Sequence, residues 1–164
     1  MNSSLESRSW WTYIHEDLQE LLREAVTLVD KVETWSEKFH DYSFVVFPAA
    51  KAYEGYLKTL FHDLGFISEG EFFGKRFRVG KAMNPDLEPR FRENESVYDK
   101  LADFCQGREL PDAIWETWIN ARNLLFHWFP NEKNVITFDE AKVRVSRILD
   151  TMDLAFKECK IDRT

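Results

Sequence analysis

The stretch "PAAKAYEGYLKTLFHDLG", Pro48 to Gly65, decides the fold class. Pro48 suits a first helical turn, where its missing N–H costs nothing, and Gly65 suits a helix end. Between them Ala50, Tyr53, Leu57, Phe61 and Leu64 recur at helical spacing, the mark of one buried helix face. The other side reads Lys51, Glu54, Lys58 and His62. A helix of this kind has to dock its apolar stripe on other elements.

The same period continues upstream. Trp11, Ile14, Leu18, Leu21, Ala25, Leu28, Val32, Trp35 and Phe39 repeat at three and four, and no Gly or Pro precedes Pro48. That spacing predicts one long amphipathic helix over about 9–40. A bundle helix fits it better than a free coiled coil, because the rest of the chain also has apolar stripes to cover. Downstream, the period fails from Gly65 to about Glu93, where four of the six Gly and two of the five Pro fall. Residues 65–93 therefore read as a long loop or small excursion, and long loops in compact domains are usually functional or disordered.

Asn94 is placed to cap a third helix, with Val97, Leu101 and Phe104 inward and Gly107 past its end. Pro111 opens a fourth helix that runs to about Phe129. Thr137-Phe-Asp-Glu140 is a capping box for a fifth, whose inner stripe is Ala141, Val145, Ile148, Met152, Ala155 and Cys159. "NVITF", Asn134 to Phe138, reads as a short extended connection before it. The sum is an all-α fold, a four- to five-helix up-and-down bundle forming a single domain over 1–164.

The chain of 164 residues, 44% hydrophobic, is long enough for one core without staples, burying about 70% of its unfolded surface. Its 14 Phe and 6 Trp are enough to furnish an interface as well as a core. The net charge of −7 disfavours nonspecific adsorption to nucleic acid or anionic membrane, while leaving room for a local basic site. Cys105 and Cys159 form no CxxC pair and read as reduced thiols of a cytoplasmic protein. His15, His40, His62 and His127 lie far apart without Cys or close His partners, so neither a metal nor another cofactor is expected. The opening "MNSSLESRSWW" has no apolar core of a secretory signal, and no apolar run approaches the ~20 residues of a membrane span.

"INARNLLFHWFP", Ile119 to Pro130, carries Arg122, Asn123 and His127 in an otherwise apolar helix. Ile114, Trp118, Ala121, Leu125 and Trp128 make its apolar stripe; Glu116, Asn120, Asn123 and His127 make a polar one. Arg122 stands about 140° from His127 and reaches the polar face only by curling its side chain. Pro130 ends the helix, so His127 falls in the last turn, where helix carbonyls favour a cation. Spacing alone makes Arg122 and His127 ordinary helix-ending residues.

"RNLLFH", Arg122 to His127, resembles the R-x4-H signature of HEPN domains, in which a polar residue such as Asn usually follows the Arg. "FPAAKAYEGYLKTLF", Phe47 to Phe61, resembles an earlier HEPN helix. With "RNLLFHWF" it is similar to the toxin domain of RNase LS-type toxins. The likeness covers most of the chain from about Ser43 onward. The resemblance implies a metal-independent endoribonuclease, a toxin or defence effector held in check by an antitoxin or other regulatory protein. It further implies a homodimer whose protomers bring their fourth helices, and so their motifs, into one cleft, with Trp128 and Phe129 as interface or core residues.

In that chemistry a proton leaves the ribose 2′-OH and another reaches the departing 5′-oxygen. An imidazole titrates near physiological pH, which suits His127 to the transfers. The planar, permanently charged guanidinium of Arg122 suits the charge that grows on the phosphoryl oxygens. Asn123 would orient His127 or the phosphate. Glu54 and Lys58, one turn apart, read first as a solvated ion pair. The family's habit of placing a polar or acidic group beside the motif makes Glu54 a catalytic candidate, with Lys51 and Lys58 on the same face for RNA. "GKRFRVGK", Gly74 to Lys81, holds Lys75, Arg76, Arg78 and Lys81 with no acid among them. It reads equally as a solvated loop, a docking site for an acidic partner, or an RNA-phosphate site with Phe73 or Phe77 for base stacking. The competing functions are a noncatalytic HEPN module binding a nucleotide, RNA or protein, and a helical adaptor with no nucleic-acid role.

Overall fold

The structure is a computed structural model that describes residues 5–130 and 134–159, so the ends of the expected 1–164 domain lie outside the described residues. The fold is all-α. Among the described residues eight α-helices follow in order: α1 Glu16–Lys31, α2 Ser43–Asp63, α3 Glu69–Phe73, α4 Val79–Ala82, α5 Pro89–Glu95, α6 Val97–Cys105, α7 Glu109–Trp118 and α8 Phe138–Glu158. A 3₁₀ turn, Val32–Thr34, extends α1, and a π turn, Ile119–Asn123, extends α7. One apolar cluster runs through the bundle.

The hub is α2, which touches α1, α3, α4, the π turn and α8. Ala50, Tyr53, Leu57 and Phe61 are fully buried, as the period of three and four requires. Two phenols extend the hub's reach. The Tyr53 hydroxyl donates to the Ile114 carbonyl at 3.2 Å and the Tyr56 hydroxyl to the Met152 carbonyl at 3.0 Å, so α2 is bonded to α7 and α8. Burial holds both phenols far above their ordinary pKa, and they remain O–H donors. Against α1 the approach is closer still, because a Cβ on Gly55 would lie 2.6 Å from Leu18 Cδ2. Gly65 ends the helix region at φ +72°, the left-handed conformation expected of it.

Several boundaries depart from the spacing. The helix expected over about 9–40 is half that length. Residues 6–14 fold instead as turns that bury Trp10, Trp11, Tyr13 and Ile14. Asp153 of α8 anchors them, accepting from Trp10 Nε1 at 2.6 Å and from Arg8. A continuous helix would carry Trp10 away from that carboxylate. At the other end, Trp35 and Phe39 leave the expected stripe, each 39% exposed, for a surface aromatic group with Tyr42 and Phe44. Pro48 lies inside α2 and does not open it. The Asp41 carboxylate accepts from the backbone N–H of Ser43 at 3.1 Å and from its hydroxyl, and so starts the helix five residues earlier.

The 65–93 region is three short helices, not a bare loop. The Ser68–Glu71 capping box starts α3 and Pro89 stands at the first turn of α5. Asn94 lies within α5, and Ser96 caps α6 by accepting from Asp99 N–H at 3.1 Å. Phe104, expected inward, is half exposed. The positive φ that closes α6 falls on Gln106, one residue before Gly107. The fifth predicted helix keeps its form as α8, with the Thr137–Glu140 box and its inner stripe buried.

α7 and α8 share a buried polar contact, Thr117 Oγ1 to Thr151 Oγ1 at 2.8 Å. Removing one hydroxyl strands the other in an apolar interface, whereas removing both leaves neither. Thr117→Val alone is expected to cost about 1–3 kcal/mol in urea unfolding, with Thr117→Val/Thr151→Val recovering most of it. Simple additivity of the two single changes would contradict the shared bond.

Candidate functional site

The fourth predicted helix begins at Glu109, two residues before Pro111, and stops being α-helical at Trp118. In the π turn the N–H of Leu124 donates to the Ile119 carbonyl at 3.0 Å, one residue further back than an α-helix would use. Single π turns within helices occur often at functional sites, because they rotate the side chains that follow. Here the turn contains Arg122 and Asn123. Arg144 of α8 braces its other side by donating to the Asn120 carbonyl.

That rotation sends Arg122 toward α2 and away from the polar stripe of its own helix. Its Nε and Nη2 donate to Oε2 of Glu54 at 3.2 and 2.9 Å. The guanidinium carbon lies 5.2 Å from the ring centre of Trp118, four residues back on the same face. Both charged side chains are about a third exposed, 34% for Arg122 and 32% for Glu54. Among the described contacts Nη1 has no protein acceptor. The pair forms the wall of a cleft of about 270 Å³, completed by Phe47, Ala50, Lys51 and Phe126.

His127 is not in a final helical turn. It follows three turn residues, in irregular chain, and is exposed. Its carbonyl accepts from Asn134 Nδ2 at 2.9 Å and its ring leans toward Phe129, with centroids 6.2 Å apart. His127 lines a second, mainly apolar cleft of about 600 Å³ with His40, Asp41, Phe126 and Trp128. Phe126, packed edge-on against Phe47 at 5.4 Å, belongs to the walls of both clefts. Arg122 and His127 of one chain thus stand in adjoining clefts. Asn123 lines neither.

The other candidates divide among three places. Glu54 and Lys51 join Arg122, and Glu54 pairs with Arg122 instead of Lys58. Lys58 lies over the Phe72 ring at 5.8 Å. Arg76, Arg78 and Lys81 line a third cleft beneath α4 and α5, and Lys75 contributes its carbonyl to Arg78. The α4 turn beside that third cleft packs on Trp118. A Cβ on Gly80 would lie 2.7 Å from Nε1 of Trp118, the indole that carries Arg122.

Three participants escaped the sequence reading. Trp118 had a usable signal, since an aromatic residue four before an Arg stacks with it on a helix. Phe126 and Lys100, which also lines the third cleft, had none, because only the tertiary fold brings them there. Among the described residues no group of His, Cys, Asp and Glu converges as a set of metal ligands, and no helix is long and apolar enough to cross a membrane. No protein-family model, curated protein or solved structure matches the chain.

The Arg122–Glu54 contact is open to a double-mutant cycle. Partial exposure limits the coupling between Arg122→Ala and Glu54→Ala to at most about 1 kcal/mol, and added salt is expected to shrink it. Zero coupling in urea unfolding at low salt would contradict the contact.

Proposed function

We propose that the chain is a metal-independent endoribonuclease of HEPN type, acting as a homodimer. The observation that carries this reading is the state of Arg122. Glu54 holds it by two nitrogens at a cleft that also has Lys51, while Nη1 is left for a phosphoryl oxygen. An Arg fixed in this way meets developing negative charge with little reorganisation. In the reaction the 2′-oxygen bonds to the adjacent phosphorus and the bond from phosphorus to the 5′-oxygen breaks. His127 relays the proton from the 2′-OH to the 5′-oxygen, giving a cyclic phosphate and a 5′-hydroxyl.

The separation of Arg122 and His127 within one chain is what a second copy would resolve. Trp128, 83% exposed, lines the His127 cleft, Phe47, 53% exposed, lines the Arg122 cleft, and Phe129, 40% exposed, lies beside His127, so each cleft has exposed apolar surface. Apolar surface of this kind marks contact sites, and two-fold pairing would bring the clefts of two protomers together. Two free thiols and the acidic surface fit a cytoplasmic toxin or defence effector restrained by a regulatory protein.

The same separation also favours a second reading, a noncatalytic module that binds RNA, a nucleotide or a protein. Cleavage of mixed cellular RNA in EDTA decides between the two. The first reading predicts cutting by the wild type, a fall of about 10²–10⁴-fold in His127→Ala and about 10²–10³-fold in Arg122→Ala. RNA binding without cutting would establish the second reading, and equal cutting by wild type and His127→Ala would remove His127 from the chemistry.

A further inference from the structure

The basic octet Gly74–Lys81 keeps Lys75, Arg76 and Arg78 exposed, yet it also packs on its neighbours. It closes a cleft of about 230 Å³ against α3, α5 and α6. Four cations line it: Arg76, Arg78, Lys81 and Lys100. Two carboxylates, Glu71 and Glu95, also line it, and each is already engaged. Glu71 accepts from the Ser68 backbone and hydroxyl at 2.8 Å each, and Glu95 accepts from Lys81 Nζ at 2.5 Å. Arg78 is turned back on its own segment, donating to the carbonyls of Lys75 and Phe77.

Lys100 and Arg76 are left over. Neither makes an ion pair among the described residues. The Lys100 ammonium is half-buried and held by two backbone carbonyls, Phe66 at 3.0 Å and Asn94 at 3.5 Å. Those bonds fix its direction, and its charge acts on the Glu71 carboxylate, helping to keep it ionised, without a direct ion pair, so much of the ordering cost of binding is met before a ligand arrives. Exposed Arg76 lines the same cleft, and Phe66 and Phe77 supply apolar wall. On a chain of net charge −7 this is a local excess of positive charge in a partly open cleft.

The geometry points to a phosphate-binding cleft for single-stranded RNA, with Lys100 and Arg76 as its principal cations. RNA fits better than an acidic protein segment on two grounds. Aromatic rings alternate with the cations, as Phe72, Phe73 and Phe77 do around Lys75, Arg76 and Arg78, and Phe73 is 74% exposed for a base to stack on. The α4 turn of the cleft also packs on Trp118, the indole beside Arg122, and a strand of several nucleotides bound here is proposed to reach both sites. That span rests on the ribonuclease reading above, whereas the grip on phosphate does not.

The test is binding of a labelled hexaribonucleotide by the full chain, followed by fluorescence anisotropy across a salt series. Carrying His127→Ala throughout prevents turnover. Arg76→Gln and Lys100→Gln are each expected to weaken binding roughly tenfold and to flatten the log–log salt slope by about 0.7. Arg76 is exposed, so Arg76→Gln should keep the thermal midpoint of its parent even if Lys100→Gln loosens the fold. Oligomers with a 5′-phosphate or a 5′-hydroxyl separate the two sources of phosphate. A preference for the 5′-phosphate that Lys100→Gln abolishes identifies a strand end, and equal binding identifies an internal phosphodiester. No detectable binding at low salt overturns the inference, as does an unchanged slope in Arg76→Gln. Competition by polyglutamate as strong as that by RNA also overturns it and makes the cleft a protein-docking surface. Binding that meets these expectations in a chain whose wild type cuts no RNA would leave the cleft standing and remove only the nuclease.

Discussion

Arg122, a third exposed beside the buried hub helix, is met there by Glu54 of α2. The geometry around the motif follows from this contact. α2 is buried along most of its length and bonded through its tyrosines to α7 and α8, so Glu54 stands on the most firmly held element of the bundle. The π turn brings Arg122 across to it, and Trp118 supports the guanidinium from below. The pair itself contributes little stability, because both partners are partly wet. Its consequence is direction: it decides which cleft the guanidinium faces.

Three clefts carry the candidate residues. The Arg122 cleft shares Phe126 with the His127 cleft, and Trp118 meets α4 at the edge of the basic cleft. Cations line the Arg122 and basic clefts, and apolar and imidazole groups line most of the His127 cleft. A polymer that alternates anionic phosphates with flat apolar bases matches that alternation, which is why the functional and binding proposals converge on single-stranded RNA.

Much of this was legible in the chain. Tyr53, Leu57 and Phe61 announce α2 by period alone, and Thr137 with Glu140 announces α8 by a cap that needs no tertiary help. The errors have a common cause. Trp10, Trp35 and Phe39 continue a helical period, yet Asp153, 143 residues beyond Trp10, and the neighbouring aromatics decide where they lie. Pro48 looks like a start because Asp41, which does start α2, lies outside the apolar pattern. For the site, Arg122, His127 and the basic octet were visible as residue types. The Glu54 partner was only one of two readings of an exposed turn, and the π turn that selects it has no local sequence signature.

The central claim is that Arg122 and His127 serve one phosphate although they line adjoining clefts. NMR titration of the full chain with an uncleavable RNA, 2′-deoxy at a single position, reads both groups at once. The Arg122 Nε–H resonance and the His127 ring C–H resonances are expected to move together, with one shared saturation curve. Movement of only one of them, or of each with its own affinity, would contradict a common site.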